Sequence, residues 1–426
     1  MNAKDRPRAL WAFPVLILAI ALALLARNGG AFPGSPLGHG IVPGAAAPAY
    51  LAVTGMVTIW IFAQAGLRRA GLFAAAAMAG AAAISLQFRS GARPILDMAG
   101  PGLGLAAIFG ACVLSQAVAS GRKRALLRDA FLGAVDRGTI RRIERSLEAC
   151  PLAGENRSVT YLVCGMRLSP SFAARIAGDA ASYVKLRGRV LGQMMDLVLA
   201  EHGMVEQICG EEIRAVWNAP LDDSRYAVHA CTAASAMCAA AERLNRGIAA
   251  DWRLDGATDM PVEIGIGIFT GPAVTGGIRA RGRTVYRASG DCIFAAARIQ
   301  AKTGDYGFQV AVCEATRNLA NEDFAFLEVD CIAATRDGRA SKIYALAGGA
   351  AVRASPKFRA LSTFHEHIFR SLRSRQWARA QELIQQCRTL SGTSQKLYDL
   401  HLVRIAWFEQ HPPGADWDGA MRPAVK

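Results

Sequence analysis

Val262 to Phe269 reads VEIGIGIF, with apolar side chains at every second position, and runs into Thr270-Gly271-Pro272. Alternation over that length predicts a strand with one face on a core, and the Gly-Pro that follows predicts a turn. Outward from this run the pattern keeps switching between strand and helix periods. Upstream, Val159 to Val163 predicts a buried strand and Ala181 to Glu201 a helix. Met204 to Trp217 predicts two short strands joined at Gly210, Glu211 and Glu212, and Arg225 to Asn245 a long Ala-rich helix. Downstream, Arg283 to Ala288 predicts a strand, Asp291 to Gln300 a helix capped by Asp291, and Gly307 to Cys313 and Lys342 to Leu346 the closing strands. Elements mixed in this way define one α/β domain over residues 151–350, with Pro151 and Gly154 marking its entry.

The chain before that domain is of another kind. Between Arg8 and Arg27 lie 18 uncharged residues, ALWAFPVLILAIALALLA, close to the ~20 that cross a bilayer as a helix. A Gly/Pro-rich loop from Asn28 to Pro48 is followed by Ala49 to Leu67, Ala70 to Phe88, and Pro94 to Ser120, which carries one acid, Asp97. Four spans, at about 9–26, 49–67, 70–88 and 94–120, make residues 1–120 a multi-pass transmembrane anchor without an amphipathic face. With both ends inside, Lys4, Arg6, Arg8, Arg68, Arg69, Arg122, Lys123, Arg124 and Arg128 face the cytoplasm, against Arg27, Arg89 and Arg93 outside. This places the anchor in the cell (inner) membrane and the α/β domain in the cytoplasm. A cleaved signal peptide is the rival reading of the first stretch, but Arg27 and the missing small-x-small site oppose it.

The 426 residues are 52% hydrophobic and 19% charged, with a net charge of +15, which excludes a disordered chain. Sixteen Lys and Arg against six Asp and Glu fall in the first 150 residues, so two thirds of the excess belongs to the membrane border and the linker over 121–150. That position favours a topology signal and attraction to membrane lipid. With no interleaved aromatics and no recognition motif, it argues against nucleic acid. Within the linker, Leu126, Leu127, Ala130, Phe131, Ala134, Val135, Ile140 and Ile143 keep helical spacing interrupted at Gly138, a pattern suited to a parallel dimer stalk. The ten cysteines are scattered without a CxxC pair and predict buried thiols in a reducing compartment. Beyond residue 350, Trp377, Ala380, Leu383 and Ile384 predict helices between Leu361 and Gln410. They form a helical extension over 351–426, a hairpin or a single tetratricopeptide-like unit, that caps the domain.

Three stretches together resemble the catalytic domain of the class III nucleotidyl cyclases, the adenylate and guanylate cyclase family. They are Val205 to Pro220 (VEQICGEEIRAVWNAP), Gly265 to Gly276 (GIGIFTGPAVTG) and Tyr286 to Arg298 (YRASGDCIFAAAR), matching in order, spacing and strand-turn-strand setting. The linker run RDAFLGAVDRGTIRRI, the Phe364 to Gln386 helix and the closing Pro412 to Gly419 resemble membrane-bound cyclases that carry a CHASE-type sensor. The resemblance implies a ferredoxin-like α+β fold for the domain. It also implies a sensor between the first and second spans, where only Asn28 to Pro48 is available, too short to enclose a core.

The family's reaction joins a ribose 3′ oxygen to the α-phosphorus with loss of pyrophosphate. It needs Mg or Mn ions and a cation for the transferring phosphoryl group, in a head-to-tail dimer that shares each site. Carried over by position, the first metal carboxylate falls at Gly165 and the second at Glu211. The purine-reading lysine falls at Gln207, its partner at Arg287 and the transition-state asparagine at Phe294, while Arg298 keeps the family's residue. Glycine offers no ligand, Phe294 neither donor nor acceptor, and Arg287 only donors. On residue type alone, Glu211 and Glu212 also fit solvated turn residues, and Arg298 a partner of a helix C-terminus. Gly271, Gly276 and Gly277 do not form GxxxxGK[ST] and serve the strand turn.

These substitutions imply a catalytically impaired member of cyclic-nucleotide signalling, a regulatory or partner-binding subunit. It would pair with itself or with another class III cyclase and have ATP as its candidate nucleotide. Two other readings remain: an active adenylate cyclase making cAMP and pyrophosphate with atypical ligands such as Glu211 and Glu212, and a membrane scaffold that binds no nucleotide.

Overall fold

The computed structural model describes residues 46–87, 99–145, 152, 154–251, 260–280, 283–390, 394–414, 416–420 and 422. The chain divides into two units, Met1–Ala125 and Leu126–Lys426.

Three helices are described from the first unit onward: α1 (Ala46–Ala65), α2 (Leu67–Gln87) and α3 (Ala99–Phe131), the last continuing past the division. Leu51, Ile59, Ala74, Leu105 and Ile108 form one apolar cluster, and Phe62, Ala70 and Cys112 another. Large apolar side chains also point outward, among them Met56, Trp60, Leu72 and Leu114. Where four spans were expected, one described helix is long and apolar enough to cross a membrane, Leu103–Phe131, and Leu51–Ala65 is apolar but shorter. Alanine dominates α2, and Arg68 and Arg69 stand in its first turn, which lowers its apolar content. The expected span over 9–26 lies outside the described residues.

The second unit is built on one eight-stranded sheet. Its strands are β1 (Glu155–Leu168), β2 (Met204–Cys209), β3 (Glu212–Trp217), β4 (Val262–Ala280), β5 (Arg283–Ser289), β6 (Val310–Cys313), β7 (Phe324–Ala333) and β8 (Ala340–Gly349). They lie in the order β2-β3-β1-β4-β6-β8-β7, with β5 paired to the far part of β4. The helices are α4 (Arg137–Arg145), α5 (Pro170–Ile176), α6 (Ala180–Ala200), α7 (Tyr226–Asp251), α8 (Asp291–Tyr306) and α9 (Glu314–Ala320), then α10 (Ala350–Ala354), α11 (Pro356–Arg373), α12 (Trp377–Arg388) and α13 (Gln395–Gln410).

Successive side chains of a strand face opposite sides, so β1 separates two cores. Leu162, Cys164 and Met166 pack with α6 and α7. Val159, Tyr161 and Val163 pack on the other face with Leu127, Phe131, Val135 and Ile143 of the linker and with Cys292 and Ala296 of α8. The linker's break falls earlier than Gly138, at 132–136, because the Asp136 carboxylate accepts from the Gly138 and Thr139 N–H groups (2.6 and 3.1 Å) and so starts α4.

The turn expected at Thr270-Gly271-Pro272 is absent: β4 runs straight through it and pairs with β1 as far as Glu155 opposite Thr275. The reason is one of edges. Ile266 donates its N–H to Gln309 O and Thr270 donates to the Cys313 sulfur, so even-numbered residues of β4 turn their N–H away from β1. Pro272 is next in that series and falls where pairing with β6 has ended at Ile268 and pairing with β5 begins only at Val274. Its missing donor costs no ladder bond. The strand expected from Gly307 begins instead at Val310, because Gly307, at φ +68°, closes α8 in the left-handed conformation.

The extension holds three longer helices rather than a hairpin. Ser355 and Ser394 cap α11 and α13 through their hydroxyls. Ala380, Leu383, Ile384 and Cys387 pack against Ile368, Tyr398 and Ile405. A buried polar network ties these helices to β7. His365 donates from Nδ1 to the Glu328 carbonyl (2.8 Å), which leaves Nε2 to accept the Tyr398 hydroxyl (2.8 Å). His401 donates from Nε2 to Val329 O (2.8 Å). Asp330 accepts from Tyr306 (2.7 Å), from Arg404 (2.9 Å) and from the Cys331 N–H (2.8 Å), and Glu328 pairs with Arg373. Every charge taken from water here has a partner.

Candidate functional site

Gly165 lies on β1 between Glu212 of β3 and Gly265 of β4, both directly opposite it. A Cβ at Gly165 would stand 2.4 Å from Gln300 Nε2, so the buried Gln300 side chain of α8 fills the place where the resemblance expects a carboxylate. Two neighbours on β4 let α8 come this close. A Cβ at Gly267 would meet Ala296 O at 2.2 Å and Gln300 N at 2.4 Å, and one at Gly265 would meet Thr303 Oγ1 at 2.3 Å.

Residues directly opposite in an antiparallel pair share a face, which puts Glu212 on the face of Gly165. Its carboxylate pairs with Arg214 (3.0 Å). Glu211 is exposed at the hairpin tip and accepts the hydroxyl of Tyr183 (2.5 Å) from α6, a helix of the opposite core. That hydrogen bond holds the Glu211 carboxyl below its usual range and raises the Tyr183 phenol. The two carboxylates therefore diverge. A divalent metal asks for convergent oxygen ligands, and among the described residues no group of three or more His, Cys, Asp or Glu is placed to hold one. The residues present do not fit the metal pair that the resemblance implies.

Gln207 and Arg287 do come together. Arg287 Nη1 donates to Glu206 O (2.6 Å) and reaches Gln207 Oε1 (3.4 Å). Beside them sits Glu206, which neither the residue pattern nor the resemblance singles out. Its carboxylate takes the Tyr161 hydroxyl and the Ala288 N–H (2.5 Å), joining β1, β2 and β5. Burial, then the Glu206 charge, push the Tyr161 phenol far above its ordinary value. The available signal was an acid beside Gln207 in an otherwise apolar strand.

Phe294 and Arg298 lie one turn apart on the exposed side of α8. Phe294 is 44% exposed, and the Arg336 guanidinium covers its ring at 3.4 Å from the centroid. Arg336 also approaches Asp291 (4.0 Å). Asp291 is the first residue of α8 and Gly290 is its cap, which corrects the cap expected at Asp291. Because α8 runs on to Tyr306, Arg298 stands mid-helix, not at the C-terminal turn. It forms no hydrogen bond or ion pair with the described residues. Cys209 departs from the expected burial of the thiols: it is exposed because β2 is an edge strand whose end leaves the core.

No family model matches the sequence. Over 115 residues, 27% of this chain, it is 37% identical to Adenylate cyclase 1 of Rhizobium meliloti (strain 1021), and the match spans 16% of that relative's length. Among solved structures it is similar to the guanylyl cyclase Cya2, with a TM-score of 0.41 and 23% identity over 46% of this chain and 94% of that one. It is also similar to the adenylyl cyclase CyaB from P. aeruginosa, with a TM-score of 0.39 and 21% identity over 46% and 96% of the two chains.

Proposed function

We propose that this chain is a membrane-anchored relative of the class III nucleotidyl cyclases that has lost its own cyclisation chemistry and acts as a regulatory or partner-binding subunit in cyclic-nucleotide signalling. The observation that carries the reading is Gly165, with no ligand atom and with Gln300 packed into the space beside it. Cyclisation without a metal-held alkoxide and leaving group lacks its main source of charge stabilisation. Removing one such preorganised contribution costs about 10²–10³ in rate, and the substituted positions of a shared site do not act independently. Arg298 remains free to serve a composite site built with an intact cyclase partner.

Dimer formation is supported by exposed apolar side chains near the candidate site, Ile208, Val274, Ile278 and Phe294, which a second copy or a related chain would cover. The Leu103–Phe131 helix supports anchoring in the cell membrane, with the domain in the cytoplasm. The test is a turnover assay of the detergent-solubilised chain with ATP or GTP and Mg²⁺ or Mn²⁺. The expected result is no cyclic nucleotide above background with either metal. Metal-dependent cAMP formation that Arg298→Ala abolishes would overturn the reading in favour of an active cyclase with atypical ligands.

A further inference from the structure

At the far end of the sheet from Gln207 and Arg287, beyond β7, a cleft of about 640 Å³ opens between α9, the start of β7 and the first helices of the extension. Three guanidinium groups, Arg317, Arg353 and Arg359, line it against a single carboxylate, Glu322. Arg353 and Arg359 make no ion pair with any described residue. Arg317 gives one N–H to Asn318 (3.0 Å) and lies over the Tyr344 ring, 5.6 Å from its centroid. Further along β7 two arginines are matched by buried acids, Arg373 by Glu328 and Arg404 by Asp330. In the cleft the like charges repel one another, and no acid among the described residues forms an ion pair with them. Phe324, Phe326 and Phe358 line the same cleft, beside the polar Asn321, Ser362 and Thr363.

We propose that this cleft binds a mononucleotide, an aromatic ring carrying phosphate, at a site separate from the cyclase-like one. Guanidinium groups match phosphate oxygens in paired hydrogen bonds and also stack on flat rings, and the phenyl wall supplies the apolar surface a base covers. The volume is that of a small-ligand site. The inference does not depend on the loss of turnover proposed above, because none of its residues belongs to that site.

The test uses the full chain in detergent, titrated calorimetrically with AMP, ATP and inorganic phosphate, beside the Arg353→Glu/Arg359→Glu and Arg298→Ala variants. Both substituted arginines are exposed, so the double variant is expected to keep the thermal transition of the parent. AMP should bind, the double variant should weaken it at least tenfold, Arg298→Ala should leave it unchanged, and inorganic phosphate should bind at least tenfold more weakly than AMP. Hydrogen exchange on the unsubstituted chain should show AMP protecting residues 317–326 and 353–363. Absence of AMP binding at millimolar concentration, or binding that the double variant leaves intact, would overturn the proposal. So would loss of binding in Arg298→Ala alone, which would assign the nucleotide to the other site. Inorganic phosphate binding as tightly as AMP would remove the aromatic part of the assignment and with it the proposal.

Discussion

At the β2–β3 end of the sheet the charged side chains stay at or near the surface: Glu211 takes a tyrosine hydroxyl, Glu212 an arginine two residues on, and Arg287 a main-chain carbonyl. At the β7 end Asp330 is 2% exposed and Glu328 7%, and their partners arrive from helices 74 and 45 residues away. One end is held by strand register and by glycines that let a helix touch the backbone. The other is held by polar side chains that must all be present together. The expected consequence is that side chains at the surface end can change at little cost to the fold, whereas truncating a partner of the buried acids at the β7 end is costly.

This contrast should break first at Arg404. Arg404→Ala leaves the Asp330 carboxylate buried without its cation, and the expected loss of stability is about 3–5 kcal/mol, read as a lowered thermal transition of the solubilised chain. An unchanged transition would place Asp330 outside the structural network. Next, Gly267→Ala drives a Cβ into the backbone of α8 and should cost about 1–3 kcal/mol. Gly165→Ala meets only the movable end of Gln300 and should stay within about 1 kcal/mol. Equal losses at the two glycines would contradict the account of the close helix–sheet approach.

The third test is pH. Burial holds His365 and His401 down to about 4, from an ordinary 6.5. Between those values the unfolded chain takes up protons that the folded chain refuses, so stability is full above pH 6.5 and falls as pH drops toward 4. The slope is about 1.4 kcal/mol per pH unit for each histidine. Glu328, whose carboxyl burial raises despite Arg373, titrates with the opposite sign. The readout is therefore the difference between the parent and His401→Gln, which keeps a donor for Val329 O: the variant should lose one histidine's share of the slope. Parallel curves would show that His401 is solvated in the folded chain. The smallest effect is expected at Tyr183→Phe, which should change stability by no more than about 0.5 kcal/mol. It should also let the Glu211 carboxyl return toward its ordinary range by NMR titration, and a fixed Glu211 titration would show that another group holds it.

The same contrast explains what could be read beforehand. Helices α6, α7 and α8 and the β2–β3 hairpin follow from local periodicity and turn residues and begin close to where they were expected, although α7 runs on past Asn245 to Asp251 and α8 past Gln300 to Tyr306. β7 escaped, because FAFLEVDCIA is buried throughout and does not alternate. Its Glu328 and Asp330 look like surface residues until their distant arginines are seen. Pro272 misled for a related reason: whether a proline breaks a strand depends on which edge its nitrogen faces, and that depends on partners elsewhere in the chain. At the candidate site, the meeting of Gln207 with Arg287 was implied by resemblance. The Glu206 bridge and the Gln300 side chain beside Gly165 are tertiary facts with no periodic trace.

The glycines of β4 carry a last consequence. GIGIFTG lies within one of the three stretches that carry the resemblance, yet at Gly265 and Gly267 the absence of a side chain is what lets α8 lie against the backbone. Any sequence that keeps this helix seated must keep glycine at these two positions, whatever the rest of the domain does. Likeness in such a segment thus reports how a helix is seated, and activity has to be judged from the positions where the fold is indifferent to the residue.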